Sequence, residues 1–224
     1  MPANVTIARG FDLDAARAHL ARCDRRLAPW MRRIGALEVD FSKPFDPVDA
    51  LARSILHQQL AGKAAATITA RVVALMPRRG RIDPVGIALL ADAALRTAGV
   101  SRNKIAALRD LAAKADVGVV PTPRQLARMP DAAIIEHLTQ VRGIGRWTVE
   151  MLLMFRLGRP DVLPVDDLGV RMGAQIVHGF EDLPAARALA AFGERWAPYR
   201  TLAAFYLWRV VDATRAAART GASA

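Results

Sequence analysis

One cysteine, Cys23, is all the chain contains. That excludes an intrachain disulfide and any zinc or iron–sulfur site built on several cysteines, and it suits a reducing compartment. Long apolar runs are missing: no stretch reaches the roughly 20 residues of a membrane-spanning helix. Met1–Ala8 has neither a charged start nor an apolar centre, so no secretory signal is expected. Sustained apolar–polar alternation, the mark of a half-buried strand, is absent. So are internal repeats and, beyond richness in alanine, low-complexity blocks. Lysine is scarce, at Lys43, Lys63, Lys104 and Lys114 alone.

What is abundant is arginine and apolar surface. Of 32 basic residues in 224, all but those four are arginine, and 53% of the chain is apolar. That is ample for one or two compact cores. The net charge of +11 draws the chain to polyanions by a salt-sensitive, sequence-independent force, and the planar guanidinium matches phosphate. Nucleic acid is the favoured partner and a membrane is not.

The chain reads as a succession of short helices. Residues 1–10 read as an extended arm. Asp12 or Asp14 caps a helix to about Ala28. Asp46 and Pro47 start another, with Val48, Leu51, Ile55 and Leu56 on one face. Asp83-Pro84, Asp92, Ser101, Thr122-Pro123 and Pro130-Asp131 each open a further helix. Later helices run from Arg171 to about Val177, over Pro184–Arg195, and over Pro198–Ala213.

The centre of this plan is residues 138–171. A Gly143-Ile144-Gly145 turn joins two helical patterns. The amides of Arg146, Trp147 and Thr148 would open the second helix, where unpaired N–H groups and the helix dipole favour an anion. In a basic protein that is a phosphate clamp, or else a plain turn. Downstream, Asp166 and Asp167 precede Leu168, where an aspartate is a favoured N-cap.

Four segments together resemble the helix-hairpin-helix DNA glycosylases, in their DNA-3-methyladenine glycosylase II (AlkA-like) branch. They are Ile55-Leu-His-Gln-Gln-Leu-Ala-Gly-Lys-Ala-Ala65, Val141-Arg-Gly-Ile-Gly-Arg-Trp-Thr148, Leu163-Pro-Val-Asp-Asp-Leu-Gly-Val-Arg171, and Arg195-Trp-Ala-Pro-Tyr-Arg200 with Tyr206-Leu-Trp208. They occur in the family's order across roughly residues 40–212.

The resemblance implies an all-α fold of two helical lobes with a DNA-binding cleft between them, a helix-hairpin-helix motif, and no N-terminal sheet domain. Residues 45–158 would form the central lobe with the hairpin. Residues 10–44 and 159–214 would form the second lobe, and 215–224 a frayed tail. It implies a monofunctional, hydrolytic glycosylase of base-excision repair, acting on alkylated purines in double-stranded DNA and leaving an abasic site. A non-catalytic helix-hairpin-helix protein that binds damaged DNA is the alternative. No cofactor and no catalytic metal are implied. The protein would be a monomer in the cytoplasm, nucleoid-associated in a bacterium.

The implied roles fall on particular residues. Alignment on Asp-Leu-Gly-Val-Arg puts the catalytic carboxylate on Asp167; alignment on the Pro-x-Asp spacing of other branches would put it on Asp166. Trp147, Trp208 and Tyr206 would line the base pocket, where an indole face attracts a cationic base. Trp147 also stands where strand-nicking relatives carry a lysine that attacks as an amine. Gln58 and Gln59 occupy the segment that fills the gap left by a flipped base, with Gln59 the wedge. Arg142, Gly143, Gly145, Arg146 and Thr148 would hold the DNA backbone. Arg200 would fix a loop or touch a phosphate.

Overall fold

The computed structural model describes residues 10–78 and 80–221. The arm expected over residues 1–10 lies outside them, Gly10 apart. Among the described residues there are thirteen α-helices, one 3₁₀ turn and no strand. None of these helices is long and apolar enough to cross a membrane. Two compact units contain them. Lys43–Leu152 form one; the described residues up to Ser42, with those from Leu153 onward, form the other.

The chain starts in the second of these. Asp12 accepts from the Asp14 and Ala15 amides and opens α1 (Leu13–Cys23). The single helix predicted to about Ala28 is interrupted at Asp24. This carboxylate, 3% exposed, accepts from the amides of Arg26 and Leu27 and starts α2 (Leu27–Ile34). A residue that looked like helix interior is thus a buried cap.

The Lys43–Leu152 unit begins at α3 (Pro47–His57), capped by Asp46 with Pro47 in its first turn. Then come α4 (Gly62–Leu75), α5 (Pro84–Leu89), α6 (Asp92–Thr97), α7 (Arg102–Asp116), α8 (Pro123–Leu126) and α9 (Asp131–Leu138). The predicted face of α3 is buried, with Leu51, Ile55 and Leu56 fully so, and α3 packs on α7, whose Leu108 and Leu111 are also inaccessible. Each such side chain contributes about 1.5–3 kcal/mol of burial free energy. Helix α7 is therefore a fixed base for whatever its polar residues hold.

Helix α10 (Arg146–Phe155) leads from the first unit into the second. There α11 (Leu168–His178), α12 (Ala186–Gly193), a 3₁₀ turn (Glu194–Trp196) and α13 (Arg200–Gly221) complete the chain. Helix α11 starts three residues before the predicted Arg171, because Asp167 caps it. Helices α11 and α13 pack against each other. A Cβ at Gly173 would stand 2.4 Å from the Leu207 carbonyl oxygen, so only glycine admits this approach.

The tail expected to fray from residue 215 is instead helical through Gly221. Leu202–Leu207, Val210 and Val211 are buried and anchor α13. Alanine and arginine, both strong helix formers, then carry it outward with exposed side chains over Arg215–Arg219. Residues 222–224 lie outside the described residues.

Candidate active site

Asp167 is both a cap and something more. Its Oδ1 accepts from the Val170 amide at 2.9 Å, as an N-cap should, and also from the Trp208 indole Nε1–H at 2.8 Å. Two donors on one oxygen fix the carboxylate's rotamer at the positive end of α11. Asp167 is partly exposed; Asp166, in the turn closed by the Asp167 amide on the Pro164 carbonyl at 3.0 Å, is exposed.

The indole reaches the carboxylate because residue 169 lacks a side chain. A Cβ on Gly169 would come within 2.8 Å of Trp208 Cδ1 and 3.1 Å of Asp167 Oδ1. Trp208, partly exposed, stacks on Phe155 with ring centres 5.9 Å apart and planes inclined by 16°. Phe205 stacks on both. Phe155 is 45% exposed. A carboxylate beside an open aromatic face combines an anionic group with a surface for a flat, electron-poor ring.

The loop leading to Asp167 is tied down independently. Arg200 grips both oxygens of Asp161, at 2.7 and 2.9 Å, and reaches Glu194 at 2.7 Å. The hydrogen bonds to Asp161 raise the Arg200 pKa above its ordinary value. Thr201 Oγ1 accepts from the Val162 amide and donates to the Arg159 carbonyl. Of its two predicted roles, Arg200 takes the one of fixing a loop.

In the Lys43–Leu152 unit, the hairpin turn is built on α7. Asp110 accepts from the Arg142 amide at 2.6 Å and from Lys114 at 2.8 Å, and Lys114 also donates to the Gln140 carbonyl. Burial works against the Asp110 charge, but the Arg142 amide and Lys114 outweigh it and hold its carboxyl below the ordinary value. Gly143 adopts φ +78, the conformation only glycine takes freely. Gly145 is different: its φ is not positive, and a Cβ there would meet nothing within 4 Å. Neither backbone nor packing asks for glycine at 145. Arg142 and Arg146 are exposed, and Arg146 pairs with the buried Glu150 at 2.8 Å.

The segment after α3 is tied to the same turn. Gln58 Nε2 donates to the Gly143 carbonyl at 2.7 Å. Lys104 Nζ donates to the carbonyls of Leu56 and Gln58, at 2.7 and 2.8 Å. Desolvation lowers the Lys104 pKa. Gln59, exposed, has φ +55 and is the one non-glycine with positive φ among the described residues. That costs about 1–2 kcal/mol. Leu60 beside it is 40% exposed.

With these arrangements in view, the likeness to known proteins is specific. The model of the HhH-GPD superfamily base excision DNA repair proteins matches residues 52–198. The chain belongs to that superfamily. It is 35% identical over 198 residues to DNA-3-methyladenine glycosylase 1 of Schizosaccharomyces pombe, covering 88% of this chain and 87% of that one. Among solved structures, the 3-methyladenine DNA glycosylase of Schizosaccharomyces pombe in complex with abasic DNA superposes with a TM-score of 0.77 at 36% identity, over 87% of this chain and 95% of that one. The DNA-3-methyladenine glycosidase of Bacillus halodurans gives 0.79, also at 36%, over 90% and 92%.

Two predicted site residues of this superfamily member need correction. Tyr206 does not line a pocket: it is fully buried, and its hydroxyl donates to the Gly35 carbonyl at 3.0 Å. Residues two apart on a helix face opposite ways, so Tyr206 and Trp208 do not share a surface. Thr148 is not a backbone clamp: its amide closes on the Gly145 carbonyl at 3.0 Å, and its side chain is 8% exposed. Trp147 is 48% exposed, at the start of α10. Phe155 was missed. The signal was there in Trp147, Met151 and Phe155, which recur every four residues along α10.

Proposed function

We propose that the protein is a monofunctional DNA glycosylase that hydrolyses the N-glycosidic bond of alkylated purines of the 3-methyladenine type in double-stranded DNA. It acts as a monomer and leaves an abasic site in an unbroken strand. The observation that carries this reading is the Asp167 carboxylate, held by the Val170 amide and the Trp208 indole N–H beside the Phe155–Trp208 aromatic face. A helix cap alone needs only the Val170 amide; the second tie, to the Trp208 indole, sets the carboxylate against the aromatic face, and the relatives' names point the same way.

The chemistry follows from charge. A purine alkylated at N3 or N7 is cationic and already a good leaving group. The electron-rich face of Trp208 favours it over neutral bases by about 0.5–2 kcal/mol. As the bond to C1′ breaks, the sugar becomes oxocarbenium-like. The Asp167 carboxylate stabilises that charge and orients a water toward C1′, which lowers the barrier by a few kcal/mol, roughly 10²–10³-fold. Asp167 takes this role in preference to Asp166, which has neither partner.

Water is the nucleophile in this scheme because no amine competes. The unit that holds Asp167 contains no lysine, and residue 147 is tryptophan. Gln59 fills the gap in the duplex, and the Gly143–Arg146 turn holds the backbone. The decisive experiment is incubation with methylated duplex DNA, with chromatography of the released bases. Free 3-methyladenine or 7-methylguanine is the expected result, and none at all would refute the activity. Borohydride added during turnover should trap no covalent adduct; a trapped adduct would overturn the hydrolytic scheme.

A further inference from the structure

The sequence reading made Gln58 a DNA contact alongside Gln59, yet the two residues do different things. The amide nitrogen of Gln58 is committed to the Gly143 carbonyl at 2.7 Å, across 85 residues of chain. Its own carbonyl is held by Lys104, which also takes the carbonyl of Leu56. These carbonyls lie at the C-terminus of α3, where the helix leaves acceptors unpaired and a cation is favoured. Lys104 stands in the first turn of α7. The same helix, through Asp110 and Lys114, holds the hairpin turn that Gln58 reaches. Between these ties sits Gln59, in a left-handed backbone conformation that an isolated chain would leave.

We infer that Gln58 and Lys104 are positioning residues that brace the Gln59–Leu60 tip rigidly against the hairpin turn, so that the tip opens a paired lesion without yielding. This rests on the glycosylase function proposed above. Extruding a base from a duplex costs unstacking and unpairing, and the cost falls where the base is already poorly paired. A probe that relaxes when pushed loses its leverage on a paired base. It loses little where no partner base resists. The brace should therefore matter in proportion to how well the lesion is held in the helix.

That dependence separates bracing from general damage to the fold. Gln58→Glu keeps the size of the side chain but sets an acceptor against the Gly143 carbonyl. Lys104→Met keeps the stem and removes the donors. Each variant, as full chain, would be assayed in single turnover on a duplex with one 7-methylguanine, placed opposite cytosine or opposite an abasic analogue. The loss of one such hydrogen bond predicts about a tenfold slower release opposite cytosine, and under about threefold opposite the abasic analogue. Melting temperatures are measured alongside. Equal losses on both duplexes, or no loss opposite cytosine in either variant, would overturn the inference. If the wild type released base from neither duplex, the proposed function itself would fail, and that outcome is read before any variant is compared.

Discussion

Replacing Gly169 with alanine isolates the contact between Trp208 and Asp167 without touching either residue. The new Cβ would stand 2.8 Å from Trp208 Cδ1 and 3.0 Å from Nε1. Relaxed contact needs about 3.5 Å, so the indole must withdraw by about 0.7 Å. Its hydrogen bond to Asp167, now 2.8 Å, would lengthen to about 3.5 Å and cease to be one. A hydrogen bond to a charged group contributes about 1.5–3 kcal/mol, or roughly 10–100-fold if its effect is expressed in the transition state. Stability should move differently. The φ of Gly169 is open to alanine, and alanine favours a helix over glycine by about 1 kcal/mol, which offsets part of the clash. The expected result is a 10–100-fold slower single-turnover release from methylated duplex, with a melting temperature within a few degrees of wild type. Wild-type rates in Gly169→Ala would show that the indole does not position the carboxylate.

Asp167→Asn should abolish base release while leaving duplex affinity nearly unchanged, and Asp166→Asn should retain activity; the opposite pattern would transfer the role to Asp166. Gly145→Ala should leave thermal stability intact, since its Cβ meets open space, yet weaken binding to damaged and undamaged duplex alike. Unchanged affinity in a gel-shift titration would remove that glycine from the DNA-facing surface. Burial lowers the His178 pKa below its ordinary 6.5, against the opposing pull of Asp24 and with further lowering by Arg195 and Arg26. The unfolded chain then binds a proton that the folded one refuses, so stability is full above about pH 6.5 and declines as pH falls through it. Melts across that range should show the midpoint dropping on the acid side, less steeply in His178→Gln. Identical slopes would assign the dependence to other groups.

Much of the helical plan was legible because its signals are local. Asp12, Asp46, Asp83, Ser101 and Thr122 each accept from an amide two or three residues on, as caps should. The hairpin turn was readable from Gly143-Ile144-Gly145, and Asp167 from its place before Leu168 as a cap; its catalytic role rested on the family resemblance alone. Asp24 was not: its cap opens a helix in the middle of an apolar pattern, and its other oxygen accepts from the Trp196 indole, 172 residues away. Tyr206 was misread because three aromatics within four residues of one helix look like one surface, whereas only Phe205 and Trp208, three apart, share a face. The partnership of Phe155 with Trp208, and that of Gln58 with Gly143, depend on chain segments brought together only by the fold. No periodicity announces such pairs.

If Gln59 is the wedge proposed above, its left-handed backbone sets thermal robustness against repair. A programme of directed evolution selecting only for heat resistance would find position 59 quickly, since glycine relieves the left-handed backbone at once. The winning clones would melt later and, on the reading proposed here, would have exchanged a wedge for a gap. Any thermostabilised version of this protein made for laboratory use should therefore keep glutamine at 59 and take its gains elsewhere.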